Sequence, residues 1–225
     1  MRDPLATPLY FVADGIDCIH RPSFIKQYED FWNDPPSVDI LWLGLLMIMM
    51  STAIHVLSAN ETLPPVITFN PVETSLAFRA AAEQCMIVGN YTKKLYLHTV
   101  QTLILLAIST TPHESSWFFL GTVIRVAMSM GLHRDPGNFP AISAGEGEMR
   151  RRLWNMIKYV DLLTSVHMGM PHMIKEEECD SKVPLNLHDS DVDVHITTLP
   201  AERPASEQTG VSYMIAKALM AEDLA

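Results

Sequence analysis

The residues able to do chemistry are concentrated between Met130 and Asp193. His133-Arg134-Asp135-Pro136 sets an imidazole, a guanidinium and a carboxylate side by side. Arg150-Arg151-Arg152 adds three guanidiniums, Asp161 a carboxylate, and Glu176-Glu177-Glu178-Cys179-Asp180 an acidic run with a thiol. Metal ligation, acid–base or diphosphate chemistry, and phosphate binding are the three uses open to such a set.

Metal ligation finds little support. His167 and His172 flank a helix stop and lack the i,i+4 spacing of a helical zinc pair, so His167 reads as a hydrogen-bonded core histidine. Asp189-x-Asp191-x-Asp193 begins like a calcium loop, but Val194 and Pro200 stand where that loop needs glycine and glutamate, which leaves a solvated acidic loop. Cys18, Cys85 and Cys179 are scattered and odd in number, without a Cys-x-x-Cys pair. That fits a reducing compartment and predicts no cofactor in this chain. No Gly-x-Ser-x-Gly, phosphate loop or Gly-x-Gly-x-x-Gly is present. The acidic run follows Pro171 in a loop, not on a helix face. An all-α enzyme acting on a prenyl or other apolar substrate through magnesium and diphosphate therefore stands only as an alternative.

Asp161 on a half-buried helix edge needs a partner, and the His133-Arg134-Asp135 turn is the expected source. The three arginines point in directions roughly 100° apart, which makes no phosphate-tracking stripe. The formal net charge of −10 opposes binding to DNA or to an anionic membrane. The arginines read instead as a solvated, partly salt-bridged helix start, with Glu148–Arg152 as a helical i,i+4 pair worth a few tenths of a kcal/mol.

The elements that position these residues are helical. Of 225 residues 48% are apolar and 19% charged, and 14 are methionine. Pro4, Pro8 and Pro22 make residues 1–36 an irregular arm strapped down by Tyr10, Phe11, Phe24 and Trp32, with a short helix near Phe24–Phe31. The first long helix is expected from Ser37, its cap, to Ser58. Its apolar run is too short for a membrane span and reads as a buried core helix. Pro64-Pro65 marks a connection. Asn70-Pro71 opens a helix that ends at Gly89. Thr92 is expected to cap the next, to Ile108, which Ser109-Thr110-Thr111-Pro112 closes. A further helix, capped by Ser115 or Ser116, runs from Trp117 to Met130, with Gly131 as a left-handed C′ residue and Leu132 as its hydrophobic contact.

Ser143-x-x-Glu146 predicts a capping box for the helix that carries the arginines. Its core stripe is read as Met149, Leu153, Met156, Ile157, Val160, Leu163, Thr164 and His167, opposite Arg151, Asn155, Lys158 and Ser165. Gly169 and Pro171 stop it. Residues 197–205 read as linker, and Glu207–Leu224 as an amphipathic helix short of a packing partner. The fold class is all-α, packed antiparallel helices. The expected division is 1–36 arm, 37–195 domain, and 196–225 linker and partial helix.

Met130-Gly131-Leu132-His133-Arg134-Asp135-Pro136, then Glu148-Met149-Arg150-Arg151-Arg152-Leu153-Trp154, then Asp161, resembles the middle homology region of fungal zinc-cluster transcription factors, also called the xylanolytic activator regulatory domain. Gly169-Met170-Pro171 is similar to the family's Gly-Arg-Pro. Cys179-Asp180 through Pro184-Leu185-Asn186 and Asp189 is similar to its Asp-Cys-Asp, Leu-Pro-x-Asn ending. His20-Arg21-Pro22-Ser23-Phe24 is similar to its upstream His-x-Pro-x-Phe. Met170 replaces the usual arginine, and Asn155 a frequent tryptophan.

The resemblance implies a nuclear regulator of RNA polymerase II transcription whose DNA contacts lie in a six-cysteine zinc cluster. Three cysteines cannot build that cluster, so zinc belongs only to a part absent from this chain. It also implies a regulatory role for the domain, a homodimer or family partner, a small-molecule effector, and no membrane. A stand-alone interaction module is a further alternative. The signature residues are expected to be structural: Gly131, Leu132, His133, Arg134, Asp135, Arg151, Arg152, Leu153, Trp154, Asp161, Gly169, Pro171, Asp180, Pro184 and Asn186.

Overall fold

A computed structural model describes residue 16 and residues 18–60, 62, 69–109 and 114–224. The expected Tyr10–Phe11 strap, the Pro64-Pro65 connection and the Thr110-Thr111-Pro112 helix end lie outside these residues. The described residues form an all-α fold without a strand: α1 (Arg21–Asn33), α2 (Ile40–Ala59), α3 (Pro71–Val88), α4 (Leu97–Ile108), α5 (Glu114–Ser129), α6 (Ala144–Met168) and α7 (Ser212–Leu224). The chain divides into two compact units. Residues 24–109 form most of the first, and residues 17–23 with 110–225 the second.

In the first unit α2 packs against α3 and α4. By length and composition α2 could cross a membrane, yet 67% of its most apolar window is buried inside the protein. It is a core helix because Leu41, Leu45, Ile48, Met49 and Ile54 all meet protein. Gly44 lets α3 come close: a Cβ there would sit 3.3 Å from the Cβ of Cys85. Ser51 and Ser75 exchange hydrogen bonds across the same contact.

Two expected caps shift. Asp39, not Ser37, caps α2 by accepting the Leu41 amide, while Ser37 closes a 3-10 turn onto Asp34. Thr92 bonds Asn90, and α4 begins only at Leu97. The run from Leu95 is apolar enough to read as helix, but propensity without a cap does not fix a start. Asn70 caps α3 as expected.

In the second unit α5 buries Leu120, Val123, Ile124 and Ala127 and packs on α6. It already includes Ser115 and Ser116, so neither is its cap. Its end is the expected Schellman motif. Gly131 has φ 73°, its amide donates to Met128, and the Leu132 amide reaches back to Ala127. Leu132 is fully buried. Ser143 caps α6 by accepting the Glu146 amide, but Glu146 pairs with Arg150 and does not complete the box. α7 has a packing partner after all, α6, onto which it turns Met214, Ala218 and Ala221.

Candidate functional site

The signature residues converge on α6 within the second unit, where Met149, Leu153 and Ile157 of the expected stripe are buried, but so is most of the face expected to be polar. Glu148, Arg152, Asn155, Lys158, Asp161 and Ser165 are all buried. Leu163 and His167, assigned to the core stripe, are exposed. The polar stripe of α6 faces protein because residues 172–196 lie along it as a strap. That strap supplies carboxylates, amides and carbonyls that the stripe can use.

Four acids hold the strap and the Gly131–Pro136 turn in register. Asp135 accepts two hydrogen bonds from Arg151, at 3.0 and 2.9 Å, and one each from the amides of Gly137 and Lys182. Burial raises its pKa, but Arg151 and the two amides outweigh that and hold it down at about 2. Asp180 takes both arms of Arg134, at 3.0 and 2.9 Å, and the Asp135 amide at 2.7 Å. Arg134 holds the Asp180 carboxyl below its usual range. The carbonyl of His133 receives the amides of Asp180 and Ser181. Glu148, with no exposed side-chain surface, accepts from Arg152 at 3.3 Å and from the Leu185 amide at 3.1 Å. Burial still pushes its pKa up. Arg152 spans to Asp189, whose other oxygen accepts the Arg21 amide at 3.1 Å. His20, bonded to Ser23, meets the Asp189 carbonyl.

The arginine triplet is therefore not a solvated helix start. Arg150 pairs with Glu146 and the Met130 carbonyl, Arg151 with Asp135, and Arg152 with Glu148 and Asp189. The expected Glu148–Arg152 pair forms, but it is buried and not one worth only a few tenths of a kcal/mol. It is a desolvated pair whose value lies in fixing register more than in net stability. Leu153 and Trp154 are fully buried, with the Trp154 ring 6.0 Å from that of His133.

Asp161 lies apart from the His133-Arg134-Asp135 turn and does not pair with it. Its carboxylate accepts the amides of Met173 and Ile174, at 2.8 and 2.9 Å, and so pins the strap where it leaves Gly169 (φ 63°) and the exposed Pro171. Burial raises its pKa against those two bonds. Beside it a cavity of about 20 Å³, lined by Lys158, Asp161, His172 and Glu176, has room for one water.

Asn186 is the other anchor. Its amide side chain donates to the carbonyls of Arg203, Pro204 and Glu207 and accepts from Thr209 and Ser212. Residues 197–205, expected as linker, are thus held down, with Arg203 paired to Asp191 and Glu207. Pro184, just before this anchor, is buried.

Sequence reasoning paired Glu148 with Arg152 but missed Asn155, Lys158, Asp189 and Arg203 as members of this network. The signal for Asn155 and Lys158 was helical spacing on α6 (151, 155, 158), which is the spacing of a solvent face as well, and Asp189 and Arg203 lie outside that helix. Asp189 and Asp191 are ion-paired rather than solvated.

Chemically the arrangement binds itself. Glu176 is paired with Lys158, Glu178 with Lys175 and Asp180 with Arg134, so three of the four acids of the run are engaged within the chain. Among the described residues no group of three or more His, Cys, Asp or Glu is arranged to hold a metal ion. The three cysteines do not fit a zinc cluster: Cys18 and Cys85 are buried, and burial raises the Cys179 thiol to about 11.

Comparison with known proteins places this architecture. Residues 9–217 match the model of the fungal specific transcription factor domain. The chain is 38% identical over 213 residues to the pyrrolocin cluster transcription factor fsdR of a fungal species (strain NRRL 50135), covering 87% of this chain and 28% of the relative. It is 37% identical over 215 residues to the Zn(2)-C6 fungal-type transcription factor pigI of Monascus ruber, covering 92% and 26%. To the equisetin cluster transcription factor eqxF of Fusarium heterosporum it is 34% identical over 210 residues, covering 89% and 30%. The chain thus spans under a third of the length of these curated relatives. No solved structure matches it. With the motif order, the helical fold and these relatives in agreement, the chain belongs to the fungal specific transcription factor domain family.

Proposed function

We propose that this chain is the regulatory domain of a nuclear transcription factor that controls RNA polymerase II transcription of a gene cluster devoted to one compound. It tunes the output of a DNA-binding part and does not itself touch DNA or catalyse a reaction. DNA is reached through a six-cysteine zinc cluster outside these residues, and the regulator works with a second copy or a family partner. Relatives named for the pyrrolocin and equisetin clusters support the kind of target. The division into arm (1–36), domain (37–195) and C-terminal segment (196–225) is part of the same reading.

The observation that carries the reading is the fate of the arginine triplet. All three guanidiniums are spent on internal carboxylates and a carbonyl, in a chain with a net charge of −10. A phosphate-binding surface needs cations that face solvent. A network of buried pairs instead fixes one arrangement of strap and helix, and breaking it releases another.

The test places the 225-residue chain between a heterologous zinc-cluster DNA-binding domain and an activation segment, driving a reporter. Reporter output should fall when the chain is present and recover with Asp135→Asn. Equal output with and without the chain, or DNA retardation by the chain alone, overturns the reading.

A further inference from the structure

The first unit contains a cleft of about 300 Å³, bounded by α1, the turn before α2, the first turn of α2 and the start of α4. That volume lies at the lower end of what small organic ligands occupy. Its walls have a one-sided character. Trp42 and Phe31 line it with rings 6.0 Å apart, and the Trp42 indole N–H donates to Gln27 at 2.6 Å. The indole is thereby fixed in orientation with its polar edge already satisfied. Asp30 and Asp39 contribute two carboxylates, and no lysine or arginine lines the cleft.

The remaining ionisable wall is His98. Burial lowers its pKa, with Asp39, 3.9 Å from its Nε2, acting in the opposite sense. The cleft thus presents two carboxylates and two aromatic rings.

We propose that this cleft binds a small organic cation, a protonated amine attached to a flat or apolar body. An ammonium group held between carboxylates and an aromatic ring gains both ion pairing and cation–π attraction. The apolar body replaces water against Trp42 and Phe31. An anion of the same shape meets two carboxylates and no compensating cation. This goes beyond the regulatory reading above, and binding measured on the chain itself does not depend on transcription.

Isothermal titration calorimetry on the 225-residue chain is the test. The probes are phenethylamine, the neutral 2-phenylethanol and the anionic 3-phenylpropionate, which share one phenyl body. Phenethylamine should bind about tenfold tighter than the alcohol, and the anion should not bind. Asp30→Asn/Asp39→Asn should remove the preference for the cation. Asparagine caps a helix as well as aspartate does, so α2 keeps its start. Should the double variant fail to fold, Asp30→Asn at an exposed position must still weaken the amine about threefold. Equal affinity for amine and alcohol, no binding by the amine, or unchanged amine affinity in the folded variants overturns the proposal.

Discussion

Asp135→Asn probes the network where its energetics are clearest. The carboxylate is 4% exposed and receives four hydrogen bonds, two of them from Arg151. Its pKa, about 2 against an ordinary 3.8, corresponds to about 2 kcal/mol of stability at neutral pH. The folded state binds the proton less readily than the unfolded one. The contribution is therefore complete above about pH 5 and is lost as pH falls towards 2, with roughly half gone at pH 3.

Asparagine keeps the shape and one acceptor but leaves the Arg151 guanidinium without its counter-charge, the nearest other acid being Glu148 at 3.9 Å. Removing one partner of a buried pair costs about 3 kcal/mol. With a urea m-value of roughly 3 kcal/mol/M, the midpoint should fall by about 1 M at pH 7. Adding Arg151→Met should recover most of that loss, because no unpaired charge then remains. The assay is urea unfolding by circular dichroism at pH 7 and pH 3, with hydrogen exchange of α6 amides confining the readout to the second unit. A loss under about 0.5 kcal/mol, or one equally large at both pH values, would refute the reasoning.

Substitutions at four further positions separate other contributions. Asn186→Ala strips the carbonyls of Arg203, Pro204 and Glu207 of their donor and should cost about 1–3 kcal/mol, with proteolysis between residues 197 and 211 as the readout. Asp161→Asn preserves an acceptor for the Met173 and Ile174 amides and should change the melting midpoint little, whereas Asp161→Ala should cost about 1–3 kcal/mol. Because burial raises the Asp161 pKa, its carboxylate form opposes folding. The folded state gains stability from this group as pH falls through that pKa, opposite in sign to Asp135, and thermal melts of wild type and Asp161→Asn at two pH values report it. Gly145→Ala would put a Cβ 1.9 Å from the Asp193 carbonyl and should displace the strap, while Gly131→Ala at φ 73° meets nothing within 4 Å and should cost only about 1 kcal/mol in thermal melts.

Local signals were legible wherever one residue type satisfies one backbone need. Asn70-Pro71 opened α3, Ser143 opened α6, and Gly131-Leu132 closed α5 as a Schellman motif. They failed at Ser37 and Thr92, where several residues could cap and tertiary packing chose another start. The α6 polarity was misread for a deeper reason. Spacing reports that one face of a helix is polar, but not whether water or a polar strap covers it. Arg151, Asn155 and Lys158 look the same in both cases until residues 172–196 are laid along them.

The sequence by itself determined the helical class, the family and the order of its signature, because periodicity, caps and motif order are properties of neighbouring residues. The tertiary structure alone decided that Arg151 and Arg152 face Asp135, Glu148 and Asp189 instead of solvent, that Asp161 holds two amides of the strap, and that Asn186 binds down a stretch composed like a linker. Those pairings join residues up to 37 positions apart. Which distant carboxylate meets which guanidinium depends on where the chain returns, and no local spacing encodes that return.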